Sequence, residues 1–372
     1  MKKISVVLLV MLACVSFVGC NKGKAGKTEA GTPFWNTPKE IAADATFFSS
    51  KLRFDGNLGL SYFSPSQKTI FYEEYNTDGT RLSSVKVLTG FADCQGLALG
   101  MSFCDRPIIT FYNGADKKLY FLCHDNKSLP GWATGPDWTI KMLDGRGDVG
   151  RVSVWDTIEN GSMILTYIDS GTSKVRVICM GGGGNPWAET IPYGGAVDQY
   201  LSIAVRVKGG EPVIVFRDPK LGALVCAQRK AGVWTTEVVD KSGNTGYFCK
   251  VRTSASGDII VAYQDLTSAE KPVTKVAIKT ADNWTIETVD SAKSGYNLDL
   301  ALDAGQRPHV LSTNGAQFRY AWHNGAAWET MTIQDPIGIT GAISIHLPKS
   351  GMPVAFYAYQ NKIGFVSALA AE

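Results

Sequence analysis

Histidine is scarce in this chain. Only His124, His309, His323 and His346 occur among 372 residues, and no two stand at a metal-ligand spacing, so neither a metal centre nor a cofactor is expected. No G-x-S-x-G nucleophile elbow is present, and the carboxylates are scattered over turn-like segments rather than set in an evident acid and base pair. Neither sign of charge dominates. Lys and Arg number 37 against 34 Asp and Glu, a formal net charge of +3, which falls to +1 if a leader carrying Lys2 and Lys3 is removed. So small a surplus argues against a nucleic-acid partner. Long apolar runs are missing as well, except Ile4 to Val18, which is too short and wrongly flanked for a transmembrane helix and reads as a secretory signal.

What is present is a repeat. In Leu201 to Asp240, Leu201, Ile203 and Val205 alternate with smaller or polar residues, and Gly209-Gly210 turns into Pro212-Val213-Ile214-Val215-Phe216. A polar corner at Asp218-Pro219-Lys220 leads to Leu224-Val225-Cys226-Ala227, and Ala231-Gly232 turns into Trp234 to Val239. Four strands joined by tight turns follow.

The residue opening the second strand recurs at Thr69, Pro107, Met163, Pro212, Ile259, Pro308 and Pro353, at intervals of 38, 56, 49, 47, 49 and 45 residues. Trp138, Trp187, Trp234, Trp284 and Trp328 keep the same period in an independent register. A lone four-stranded sheet leaves a face bare, and radial closure covers it. The fold expected is therefore all-β, a seven-bladed β-propeller of four-stranded antiparallel blades over residues 34–372, with blade one running from Leu58 to about Leu88. The chain ends before blade seven gains a fourth strand, and Trp35 is placed to supply it, so that an N-terminal strand closes the last blade.

Phe17-Val18-Gly19-Cys20 resembles the lipobox of bacterial lipoproteins. That resemblance implies cleavage after residue 19, lipid on Cys20, and a protein held to a membrane of the cell envelope by acyl chains. Asn21 stands where enteric lipoproteins retained at the inner membrane carry Asp, which favours the outer membrane. Residues 20–33 are polar and glycine-bearing, suited to a flexible tether.

Cys123, Cys179 and Cys226 fall at or near one third-strand position, a sheet spacing apart on neighbouring blades and beyond disulfide reach; they read as small core residues, whereas Cys94, Cys104 and Cys249 are undecided. Three motifs mislead. Gly145, Gly147 and Gly150 imitate a dinucleotide loop but lead into the strand-like Val152-Ser153-Val154-Trp155, Arg146-Gly147-Asp148 is a tripeptide that chance supplies, and Glu74 to Gly79 begins like a calcium loop but has Val85 where Glu is needed. Asp169, Asp218 and Asp265 end second strands and are read as turn caps.

Twelve residues before each second strand, the chain enters the innermost strand. Asn57, Gln95, Arg151, Tyr200, Tyr247, Tyr296 and Gly341 occupy that position and should ring one mouth of the central channel. Tyrosine faces beside a guanidinium suit a sugar, a peptide or a partner's loop, and the candidate ligand-binding set is Tyr200, Tyr247, Tyr296, Arg151, Gln95 and Asn57. The same tyrosines could instead pack as plugs.

The phrase G-x-P-apolar-x-apolar-aromatic with x-W-x-x-E-x-V-D, at Gly209 to Phe216 with Trp234 to Asp240, and the latter again at Trp284 to Asp290, resembles the sialidase-like repeat propellers of exported bacterial proteins. The Asp-box of sialidases, S-x-D-x-G-x-x-W, is absent from every blade. A lipid-anchored propeller also resembles, in architecture alone, the scaffold lipoprotein of the outer-membrane barrel assembly machinery. The expected function is a membrane-anchored, non-catalytic propeller that recognises a protein or glycan of the cell envelope at one funnel mouth. The alternative is a glycan-cleaving hydrolase or lyase using the same funnel.

Overall fold

The computed structural model describes residues 34–90, 93–102, 105–124, 138–158, 161–181, 186–207, 209–292, 297–313, 317–333, 339 and 341–369. Seven antiparallel sheets stand in a ring, each meandering outward from an innermost strand. The innermost strands are Thr46–Leu52, Cys94–Met101, Val149–Thr157, Leu201–Val205, Tyr247–Thr253, Asn297–Leu302 and Ile343–His346 for blades one to seven. Second strands are buried almost throughout, as in Ile259–Asp265, because both faces of each blade are covered by its neighbours.

Blade seven closes as expected. Phe34–Trp35 and Lys39–Ala42 both pair with Lys362–Leu369, so two short N-terminal strands lie along the outer side of the last one. Trp35 is buried against the edge of Tyr320, 5.4 Å between ring centroids, and Asn36 Nδ2 donates to Ser367 Oγ at 3.0 Å.

Blade one needs correction. It begins at Thr46 rather than Leu58, its second strand is Leu58–Ser64, and Thr69–Tyr75 is its third. Two consecutive apolar runs, LGLSYFS and TIFYEEY, fit the second-strand pattern equally well, and no tryptophan marks the blade. Moving the anchor from Thr69 to Leu58 replaces the short first interval by 107 − 58 = 49 residues, in step with the later blades.

The repeat motif earns its residues by joining blades. The Asp that ends an outer strand accepts from an aromatic of the next blade: Tyr167 to Asp144 at 2.8 Å and Tyr263 to Asp240 at 2.7 Å. Outer-strand tryptophans reach back to a glutamate of the preceding blade, Trp234 Nε1 to Glu189 at 2.6 Å and Trp328 Nε1 to Glu287 at 2.8 Å. Between blades two and three the contact is closer still, since a Cβ on Gly96 would stand 2.2 Å from the Arg151 carbonyl oxygen and one on Gly100 would meet the Trp155 ring at 2.8 Å. Only glycine fits there.

The smaller expectations resolve locally. Asp169, Asp218 and Asp265 each accept from backbone N–H groups two or three residues on, capping their turns. Asn76 accepts from the N–H groups of Asp78 and Thr80, a polar hairpin. Arg146 pairs with Asp144 at 2.9 Å and Asp148 accepts from Tyr112, so both charged ends of the tripeptide are engaged in the fold. Cys94, Cys123, Cys179, Cys226 and Cys249 are free and buried; Cys20 and Cys104 lie outside the described residues.

Candidate functional site

Each chain segment enters its innermost strand at one end of the ring, here the upper mouth, and turns into the second strand at the lower end. The seven innermost strands enclose a cavity of about 750 Å³, within the size range of small-molecule sites. Their inward edges have no fifth strand to pair with, so backbone donors and acceptors there must find side chains. Residues of other blades supply them. Asp156 Oδ2 accepts from Val205 N at 2.7 Å, Ser202 Oγ from Val251 N at 3.2 Å and Asp299 Oδ2 from Ile345 N at 3.0 Å, while Thr157 and Thr253 donate to the Met101 and Val205 carbonyls.

The upper mouth is aromatic on one side. Tyr200 stands edge-on to Tyr247 at 5.1 Å and to Phe248 at 4.9 Å, and Tyr200 and Phe248 line the cavity together with Phe48, Gln199 and Asn297. Phe248 has φ of 52° in a bulge between Tyr247 and Lys250, a left-handed backbone that a bulky residue adopts only when its surroundings enforce it. Behind Tyr247 the buried Arg217 guanidinium lies 4.0 Å from the ring centroid and donates to Asp198 at 2.5 Å and Asn244 at 2.6 Å. Burial pushes the Asp198 carboxyl upward, against the opposing pull of Arg217. Tyr247 is thus braced from behind, and Tyr200 offers its ring to the cavity.

The structure separates the residues expected to share this mouth. Tyr200 and Tyr247 are in contact. Arg151 and Gln95 sit at the same end on blades three and two but are not among the cavity's lining residues: exposed Arg151 lies 5.2 Å over the Tyr112 ring and Gln95 donates to Asp93 at 2.9 Å. Asn57 belongs to the lower end, because the blade-one register is off by a strand; it lies in the hairpin after Leu52, where its N–H donates to Asp55 at 2.9 Å. The entry of blade one into the ring is instead Thr46 to Phe48, where Phe47, 47% exposed, has φ of 48° in a second bulge. Tyr296 lies outside the described residues.

Sequence reasoning missed the charged lining deeper in the channel. Lys51, Asp156, Lys250, Arg252, Asp299 and His346 all face the cavity. Ser50 Oγ lies 2.6 Å from Ser344 Oγ and 2.8 Å from His346 Nε2, joining blades one and seven. Burial lowers the His346 imidazole to about 4, so it is neutral at pH 7, and burial likewise lowers Lys51. Both are walled in by protein yet keep part of their surface on the channel. One signal was available: Lys51, Asp156 and Arg252 are each the last residue but one of an innermost strand.

No family model and no curated protein matches the sequence. Solved structures share the fold. An ulvan lyase, from a polysaccharide lyase family, bound to -[GlcA(1-4)Rha3S]-, is similar with a TM-score of 0.59 at 10% identity, over 88% of this chain and 94% of that one. A mutant lectin of Aleuria aurantia in complex with Fucα1-6GlcNAc follows at 0.52 and 12%, over 82% and 99%. YCF48 bound to D1 peptide gives 0.53 and 13%, over 91% and 95%. At these identities the similarity establishes the propeller architecture alone.

Proposed function

We propose that this protein is a lipid-anchored propeller of the cell envelope, in the outer membrane, that binds a glycan at its upper mouth without transforming it. The observation that supports this reading is the aromatic wall of Tyr200 and Phe248, backed by Tyr247 on its Arg217 brace and open to a polar cavity. A sugar's C–H face packs on such rings while its hydroxyls reach Gln199 and Asn297. Among the described lining residues the two carboxylates, Asp156 and Asp299, each accept from a strand-edge N–H, a structural role for both. The lectin and the lyase named above are propellers in complex with saccharides, which is consistent with this use of the fold. The membrane attachment rests on the sequence at Cys20.

A glycan array probed with the full-length protein and with Tyr200→Ala tests the mouth. Binding should fall at least about tenfold in the variant, the loss of one aromatic platform, with its melting temperature within a few degrees. Equal binding by both proteins would move the site elsewhere on the ring.

One observation favours a lyase as the second reading. His346 is a neutral imidazole inside a cavity that also holds Lys51 and Arg252, a base beside cations. Incubation with uronate polysaccharides would then release unsaturated ends that absorb in the ultraviolet, and His346→Gln would abolish them.

A further inference from the structure

The charge of the channel wall does not close. Three cations, Lys51, Lys250 and Arg252, line the cavity with two carboxylates, Asp156 and Asp299, a formal surplus of one positive charge with His346 neutral. Both carboxylates point oxygens at backbone donors: Asp156 takes Val205 N and Thr157 N, and Asp299 takes Ile345 N. Arg252 comes no nearer to Asp299 than 3.7 Å and donates to the Val251 carbonyl at 2.8 Å. The Lys51 ammonium has one hydrogen bond among the described residues, to the Trp155 carbonyl of blade three at 2.9 Å. Lys250 has neither a hydrogen bond nor an ion pair among the described residues.

The wall therefore carries one positive charge more than its carboxylates balance, and among the described residues neither ammonium group has a carboxylate within 4 Å, Asp156 and Asp299 acting on Lys51 only from farther off. An unpaired cation withdrawn from bulk water destabilises a fold, and an apolar residue of similar size at position 51 would serve packing better. The surplus suits a counter-ion from outside that is anionic and narrow enough to descend from the mouth.

We propose that the channel is an anion site for an acidic oligosaccharide, one ring resting on Tyr200 and Phe248 at the mouth while carboxylates or sulfates of the units below it reach the ammonium group of Lys250 and, deeper in the channel, that of Lys51. The inference takes the glycan-binding mouth as its starting point and adds the class of glycan. Charge-assisted hydrogen bonds from two ammonium groups supply both strength and a preference for acidic over neutral sugars.

Calorimetric titration of the full-length protein in detergent tests it, with tetragalacturonate, its methyl ester, a chondroitin sulfate tetrasaccharide, its desulfated form, and sodium sulfate as probes. At least one acidic oligosaccharide should bind about tenfold or more tighter than its uncharged partner, as expected when a charge-assisted contact is lost. Lys250→Gln and Lys51→Met should each lower that affinity about fivefold or more and leave the uncharged partner's affinity unchanged. Lys51→Met should melt no lower than the parent, which separates a ligand role from a packing role. Equal affinity for acidic and uncharged forms, unmoved by either lysine, would overturn the anion site and leave the mouth standing. Sulfate binding that depends on both lysines, with no saccharide bound, would uphold the anion site and sink the glycan mouth. Failure of every probe would overturn the proposal.

Discussion

At the scale of single residues the channel couples stability to proton uptake. The folded His346 imidazole lies at about 4 against an ordinary 6.5, depressed by burial. A depressed folded value means that the unfolded chain binds the proton first, so stability is fully present above pH 6.5 and is lost as pH falls toward 4. A shift of this size sets an upper bound of about 3 kcal/mol, reduced by the ring's contact with channel solvent. His309, buried on blade six and lowered by burial too, adds a loss of the same sign. Melting temperature measured from pH 7 to pH 4.5 should fall less steeply in His346→Gln than in the parent. An identical slope would place the acid sensitivity in other groups. This lining offered a single signal beforehand, the shared place of Lys51, Asp156 and Arg252 next to the last residue of an innermost strand. Lys51, Asp156, Arg252 and Asp299 sit in strands whose alternation is ordinary, and whether a polar position meets bulk water or a closed channel is decided by ring closure, which no local pattern encodes. The tyrosines were legible because Tyr200 and Tyr247 recur at one place in the repeat.

At the scale of strands and blades, the order of elements could be read because the cues are mechanical. Proline opens second strands at Pro107, Pro212 and Pro308, where a first residue can forgo its ladder donor, and tryptophans mark outer strands that latch onto the preceding blade. Blade one has neither cue, and there the reading slipped by a strand and carried Asn57 to the wrong end. Contacts between blades were not legible, since Gly96 and Gly100 look like weak points of a strand until Arg151 and Trp155 are seen against them. Gly96→Ala should destabilise by about 1 to 3 kcal/mol, because the obstruction is backbone and cannot rotate away. Chemical denaturation checks it, and an unchanged midpoint would show that blades two and three can part at no cost. Tyr263→Phe, which strips a buried donor from Asp240, should cost about 1 to 3 kcal/mol by the same assay.

At the scale of the whole molecule, closure by Phe34–Trp35 and Lys39–Ala42 ties the ring at a single seam. Trp35→Ala removes a buried indole from that seam and should cost about 3 kcal/mol or more, opening blade seven first. Hydrogen exchange would show early loss of protection in Lys362–Leu369, while uniform loss around the ring would mean the seam is no weaker than any other junction. Cys20→Ser should move the protein from the membrane fraction to the soluble fraction of the envelope. Persistence in the membrane fraction would remove the lipid from the account.

The seam also sets a compass. Phe34 pairs with Leu369, at the lower end of the ring, whereas Lys39 to Ala42 climb beside Phe365 to Ile363 toward the upper end, where the chain enters blade one. With the proposed lipid on Cys20, the tether would therefore join the ring at its lower end. On the proposed attachment, the hairpin of Asn57 would lie on the anchored side of the ring and Tyr200 on the far side, as the rim of a cup lies opposite its base.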